Sequence, residues 1–425
     1  KIKGARPMKK IKYIICILII NFILPQKILI PMDQDQNDHL KAYGIAFWSL
    51  QNKDPLNWLL NYRGGSFLLE GKESVKKECL IRGVSYYTVD GSQINNIYKT
   101  IEENNMEIVL LEKAPKIAVY SPPGKQPWDD AVTLALAYAE IEYDTIFDDE
   151  VLLGKLSNYD WLHLHHEDFT GQYGKFYKNY HKTAWYKKMK SDFEFTAAKH
   201  GFYSVHELKK QIALKIKNYI ANGGFLFAMC SATDSFDIAL ATQNTDIAHE
   251  VFDKTPIDYN YKSKLDFSNA IVFENYDLYT DPLIYEYSTI DIPPSHIPNA
   301  RGAEQDYFTL FEFSAKWDRV PTMLTQNHVS VINGFMGQTT GFDRKYLKNY
   351  ILVLGEDPAS DLTKYIHGNV GKGTFTFLGG HDPEDYKHYV GDAPTDLALH
   401  RNSPGYRLIL NNVLFPAAKK KKRKT

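Results

Sequence analysis

Cys230 ends an apolar run opened by two glycines, Gly223-Gly224-Phe225-Leu226-Phe227-Ala228-Met229-Cys230. Small residues follow it, and a helical pattern runs from Asp234 to Ala241. A strand that turns sharply into a helix lifts one side chain above a sheet, and small neighbours let the strained turn close. A thiol at a helix N-terminus there can act as a nucleophile. The plainer reading is a buried cysteine at the end of a core strand. A second glycine-bounded strand, Gly371 to Leu378, leads through Gly379-Gly380 to His381, with Glu384 three residues on. Parallel strands bring their C-terminal ends to one edge. Cys230 as nucleophile, His381 as base and Glu384 as the carboxylate orienting the imidazole are the candidate catalytic set.

A second group is His163-Leu164-His165-His166-Glu167-Asp168, directly after the strand-like Trp161. On a strand His163 and His165 face the same side. With Glu167 they form a candidate site for a divalent metal such as zinc. The competing reading is a polar strand end with hydrogen-bonded histidines. His166, Asp168, Tyr173 and Trp128 are candidate ligand contacts on the same edge. Tyr173, Phe176, Tyr177, Tyr180, Trp185 and Tyr186 supply aromatic faces suited either to stacking on sugar rings or to helix packing.

The elements that must position these groups alternate. Lys116–Tyr120, Tyr143–Phe147, Trp161–Leu164 and Phe225–Met229 read as strands. Trp128–Glu140 and Val205–Ala221 read as helices, the latter stopped by Asn222-Gly223-Gly224. Such alternation implies a mostly parallel sheet covered on both faces. Upstream, residues 33–113 read as a small α+β region: strand-like stretches between His39 and Leu69, including Ala42–Trp48; a helix over Glu73–Arg82; and a strand over Glu107–Leu111. Residues 243–345 mix Tyr-rich strand-like pieces with turns and are expected as an insertion in a domain spanning 114–416.

From about Lys116 to Pro416 the chain resembles the class I glutamine-amidotransferase-like superfamily, on the strand running into the cysteine elbow and the late strand running into His381-Asp382-Pro383-Glu384. The resemblance implies a flavodoxin-like fold and the nucleophile, base and acid roles given above. The superfamily pattern has His and Pro adjacent, whereas Asp382 separates them here. The whole chain is also similar to exported bacterial proteins often labelled asparagine synthetase B. That likeness rests on Leu40-Lys41-Ala42-Tyr43-Gly44, Asn61-Tyr62-Arg63-Gly64-Gly65-Ser66-Phe67 and Trp161–Asp168. The synthetase class itself carries a cysteine after the initiator Met and a Ser-Gly-Gly-x-Asp-Ser loop. Here Lys9 follows Met8 and the loop is absent.

The 425 residues are 44% apolar and 14% aromatic, with 29 Tyr, and the formal net charge is −1. That balance conceals an asymmetry. Six Lys/Arg lie within 1–26 and six within 419–424, none offset by an acid, so 38 basic residues face all 51 acidic ones in between. Such an acidic body repels phosphates and argues against nucleic acid as partner. Met8-Lys9-Lys10-Ile11-Lys12 before the apolar run Tyr13–Leu24 reads as a signal peptide over 8–26, too short to span a membrane. Residues 417–425 read as a basic tail. The expectation is an exported protein of the periplasm or cell surface, with no transmembrane span in the mature chain. It would bind a cell-envelope glycan or protein through the His/aromatic edge without catalysis or with divergent chemistry. The alternatives are a cysteine-dependent amidase or hydrolase using Cys230 and His381, and a metal-dependent hydrolase using His163–Asp168.

Overall fold

A computed structural model of the chain describes residues 26–291, 307–318, 320–333, 336–358, 361–385 and 389–418. The expected signal peptide, apart from Gln26, and the basic run from Lys419 lie outside the described residues.

The first sheet uses β1 (Lys27–Ile30), β2 (Leu56–Leu60), β3 (Ser66–Glu70), β4 (Tyr87–Val89) and β5 (Glu107–Leu111). They are ordered β4-β1-β3-β2-β5, and every pairing is antiparallel. Alternate residues serve opposite faces. Ile28, Ile30 and Trp58 join the main core, whereas Leu29, Leu59 and Leu68 pack on Ile94, Ile97 and Ile101 of the helix Gly91–Glu103. Ala42–Trp48, expected as a strand, lies inside the helix His39–Gln51. Asp38 caps that helix by accepting from Lys41 N–H at 2.9 Å. It is buried nearly all round, so its sequence shows no polar face that would betray a helical period.

The second sheet contains β6 (Ile117–Tyr120), β7 (Asp144–Ile146), β8 (Trp161–Leu164), β9 (Phe225–Met229), β10 (Tyr307–Leu310), β11 (Val331–Asn333), β12 (Phe342–Asp343), β13 (Leu352–Glu356), β14 (Leu362–Val370) and β15 (Gly373–Leu378). Its order is β11-β10-β13-β14-β15-β9-β8-β6-β7, with β12 beside β14. This corrects the flavodoxin-like expectation. Only β15, β9, β8, β6 and β7 run parallel. The β14–β15, β13–β14, β10–β13, β10–β11 and β12–β14 pairings are antiparallel, so the protein is α/β with one mixed sheet and one antiparallel sheet. The reason is local. Two residues, Gly371 and Lys372, join β14 to β15, and so short a turn makes a hairpin, whereas a parallel neighbour needs a crossover of roughly a dozen residues or more. Strands β10–β12 come from the 243–345 stretch, which is therefore hydrogen-bonded into the sheet rather than set apart from it.

Helices cover both faces of the parallel half. Val205–Ala221 and Ser231–Ala241 contribute to the core that includes Leu162, Leu164, Leu226 and Ala228. Pro404–Leu414 lies in the other core, with Ile117, Val119, Trp161 and Phe227, and that core is continuous with the first sheet. Arg407 of this helix ties the two sheets together. It is buried and donates to Met32 O at 2.7 Å, to Tyr43 Oη at 3.1 Å and to Gly64 O. No described helix is long and apolar enough to cross a membrane.

Candidate functional site at the ends of the parallel strands

β8, β9 and β15 are neighbours that end together, with Leu164 paired to Ala228 and Met229 to Leu378. The residues just beyond these ends are His165, Cys230 and, after two glycines, His381. The parallel register therefore gathers both sequence constellations on one edge.

Cys230 has φ 50° and ψ −139° and caps the helix Ser231–Ala241. This is backbone that a side chain rarely adopts, at a cost on the order of 1–3 kcal/mol. Its thiol is buried and accepts from Gln338 N–H at 3.3 Å. Burial pushes the thiol up to about 11, against the opposing pull of the Thr339, Gln338 and Ser231 amides. The strap carrying the Gln338 and Thr339 amides is fastened at several points. Thr339 Oγ1 donates to Asp234 Oδ1 at 2.8 Å, Gln338 Nε2 to Gly174 O at 2.8 Å, and Gly380 N to Thr339 O at 2.8 Å. Gly337 fills the gap between thiol and histidine loop. A Cβ there would lie 2.9 Å from Cys230 Sγ and 3.1 Å from His381 N, so only glycine fits. Both Cys79 and Cys230 are free thiols.

His381 is buried, with its ring centroid 4.8 Å from that of His165 and 4.4 Å from that of His166. Glu384 is directed elsewhere: its carboxylate lies 3.1 Å from His400 Nδ1. Asp382, the residue between His and Pro, is the buried carboxylate of this loop. It accepts from Tyr406 Oη at 2.6 Å and Thr395 Oγ1 at 2.8 Å, pinning the loop to the helix Pro404–Leu414.

The expected metal set His163, His165 and Glu167 does not assemble. His163 is fully buried and both its nitrogens face acceptors, Phe227 O at 3.1 Å and Asp130 Oδ2 at 3.2 Å. Burial and the nearby Asp148, Asp130 and Asp168 charges push the Glu167 carboxyl up to about 8, with Lys209 opposing them. Among the described residues, the groupings with metal-like spacing are instead His165, His166 and His381, and Asp130, His163 and His165. The helix expected over Trp128–Glu140 includes Asp130, but the helix begins one residue after it. Asp130 is the N-cap of Ala131–Tyr138 and accepts from Val132 N at 2.8 Å and Thr133 N at 3.0 Å. Burial opposes its ionisation, but His163 and His165 outweigh that and hold it well below the usual carboxylate range.

Of the expected ligand contacts, Asp168 and Tyr173 are structural. Asp168 accepts from Thr170 N at 2.6 Å and Gly174 N at 3.0 Å, closing its own loop. Tyr173 is buried against Tyr186, Phe193 and Phe252. His166 and Trp128 remain half-exposed, with ring centroids 5.8 Å apart. Trp128 continues into Phe176 at 5.3 Å and Trp185 at 5.8 Å, an aromatic wall beside the histidines. A separate groove of about 1000 Å³ lies at the opposite strand ends, lined by Asp160, Phe225, Lys372, Gly373 and Phe415. The histidines and Cys230 are not among its lining residues.

Fold and site together define an α/β protein with a mixed sheet and a cysteine–histidine basin at its parallel strand ends. No family model and no curated protein matches the chain. Two solved structures, both described as cytoplasmic proteins of Salmonella typhimurium, align over 72% of this chain and all of their own. Their identities are 10% and 12% and their TM-scores 0.35 and 0.36. A beta-galactosidase from Bacillus circulans sp. alkalophilus aligns over 64% of this chain and 29% of its own, at 12% identity and a TM-score of 0.27. Likenesses at these scores carry no argument about this chain.

Proposed function

We propose that the protein is a cysteine-dependent hydrolase or acyl-transfer enzyme acting on an amide-bearing ligand, with Cys230 as nucleophile. The observation that carries this reading is the backbone of Cys230. Strain of this kind persists where a site requires it, and it stands at a strand-to-helix turn whose neighbours carry imidazoles. Sγ would attack the carbonyl carbon, with its proton passing to a strand-end imidazole and on to the departing amine. Water would then release the acyl group from sulfur and restore the thiol. His381, on the loop packed against Gly337, is the base this reading assigns. The Trp128–Trp185 wall offers stacking for a sugar or ring-bearing ligand. An exported setting, with an envelope glycan or peptide as substrate, rests on the Met8–Leu24 pattern.

A second reading, ligand binding without turnover, is favoured by the thiol itself. At a pKa of about 11 it is almost wholly protonated at neutral pH. One experiment separates the two. Full-length protein is incubated with activated esters and amides of N-acyl amino sugars and short peptides, and its intact mass is followed. The first reading expects an acyl adduct mapping to Cys230, absent in Cys230→Ser and slowed in His381→Ala. Saturable glycan or peptide binding retained by Cys230→Ser, with no adduct on any substrate, would establish the second reading instead.

A further inference from the structure

We infer that His165, His166 and His381 form a binding site for a divalent transition-metal ion of the zinc type. The three imidazoles come from two strand ends, β8 and β15, and meet across the end of β9 between them. Their donor nitrogens all lie within 4.8 Å of one another. Zinc–nitrogen bonds of about 2.0–2.1 Å would draw the donors to roughly 3.4 Å apart, a closure that small side-chain rotations supply.

The surroundings favour ligation over hydrogen bonding. His165 Nδ1 lies 3.2 Å from Asp130 Oδ1, and His166 Nε2 lies 2.9 Å from Asp129 O. The Asp129 carbonyl holds the proton on His166 Nε2 and presents its other nitrogen's lone pair, the arrangement that orients metal-ligating histidines, while the Asp130 carboxylate lies at ion-pair distance beside His165 Nδ1. His165 Nε2 is buried and has no hydrogen-bond partner among the described residues. A buried nitrogen of that kind is accounted for by a bound ion, and the two neighbouring imidazoles supply the further donors an ion needs. The alternative grouping, Asp130 with His163 and His165, is already saturated. Asp130 accepts two helix amides, and both nitrogens of His163 face acceptors. Three neutral imidazoles suit zinc, cobalt, nickel or copper rather than magnesium or calcium, which prefer oxygen. Three protein ligands also leave a fourth position open to water or to a ligand.

The inference does not depend on thiol chemistry. It constrains that chemistry, because an ion held by His381 and a proton taken up there exclude each other.

The test uses full-length protein stripped with chelator and titrated with Zn²⁺ against a chromophoric competitor, with circular dichroism confirming the fold of each variant. One ion per chain is expected. His165→Ala and His381→Ala should weaken binding by about 100-fold or more, and Asp130→Asn by about 10- to 100-fold. His200→Ala, which alters a histidine paired with Asp149 elsewhere, and Cys230→Ser should leave binding within about threefold of the parent. Zinc binding by the parent and by Cys230→Ser, with no acyl adduct on the parent or with turnover undiminished in Cys230→Ser, would sink the thiol mechanism and leave the metal site standing. X-ray absorption of the zinc-loaded parent reads the ligands directly, whether or not a variant folds. A shell of nitrogen at about 2.0–2.1 Å supports the site. Sulfur in that shell, substoichiometric zinc, or binding that survives His381→Ala would overturn it.

Discussion

Two pairs of stacked histidines look alike and are held quite differently. His39 and His328 lie 4.3 Å apart at an interplanar angle of 13°, where the first sheet meets the helix Pro404–Leu414. His165 and His166 lie 3.8 Å apart at 14°, at the parallel strand ends. In the first pair the polar atoms are provided for. His39 Nε2 faces Asp33 O at 2.9 Å, its Nδ1 faces the Asn402 amide at 3.1 Å, and His328 Nδ1 faces Arg407 at 3.3 Å. In the second, His165 Nε2 lacks a partner among the described residues, and the neighbouring Cys230 carries backbone strain. The first pair is what a core histidine looks like when its only task is to hold the fold. The second keeps unfavourable features that packing alone does not require, and such features concentrate at functional sites.

The contrast breaks if the joint proves expendable, so the largest effect is expected there. Arg407→Met leaves Met32 O, Gly64 O and Tyr43 Oη without their buried donor and should cost on the order of 4 kcal/mol. Urea denaturation would read this, and a loss under about 1 kcal/mol would mean the two sheets do not depend on it. Acid comes next. Burial, with Arg407 nearby, lowers His39 from 6.5 to about 4. Burial, then His39 and Arg407, lower His328 to about 3. Both stay neutral in the fold while the unfolded chain takes up protons below 6.5, so stability falls as pH drops from about 6.5 toward 4. His39 alone accounts for roughly 3 kcal/mol of that loss. A stability flat between pH 7 and 4.5 would contradict it.

A matched pair of substitutions sharpens the comparison. His39→Leu strands the hydrogen-bond partners of a satisfied ring and should cost about 2 kcal/mol. His165→Leu removes an unsatisfied ring nitrogen at the expense of one contact to Asp130, whose helix amides and His163 remain, and should cost the metal-free protein less than about 1 kcal/mol. Equal costs in thermal melts would dissolve the distinction. The smallest shift is expected for Cys230→Gly. Relief of strain worth about 1–3 kcal/mol offsets the lost thiol contacts and the added freedom of the unfolded chain. Cys79→Ala, in ordinary helix, should cost about 1 kcal/mol or more.

How much of this was legible beforehand follows from the range of the forces involved. Phe225–Met229, Trp161–Leu164, Glu107–Leu111 and Glu73–Arg82 announce themselves through local pattern and stop signals, and the structure forms each over those residues. Ala42–Trp48 misleads because a helix buried on every side has no polar stripe to reveal its period. The parallel half of the large sheet follows from strand–helix alternation. Its antiparallel half depends on β14, whose hairpin to β15 turns on two residues, and on edge strands from a stretch without clear periodicity. Gathering Cys230, His165 and His381 at one edge requires only the parallel register. The pairing of Glu384 with His400, the Gln338 amide on Cys230 and the Asp130 bridge between two histidines are contacts between distant segments, and no local spacing encodes them. An acid directly before an apolar helical run is a capping signal, but the helix expected from Trp128 enclosed Asp130 and hid it.

The central claim is that the strand-end basin keeps its strain and its unsatisfied nitrogen for a ligand rather than for the fold. The most direct measurement is urea unfolding of the metal-free Cys230→Gly/His165→Leu double variant beside the parent protein. The account predicts a double variant as stable as the parent or more so, with ligand and metal binding lost. A loss of about 2 kcal/mol or more would show that these two residues hold the fold together, and would contradict it.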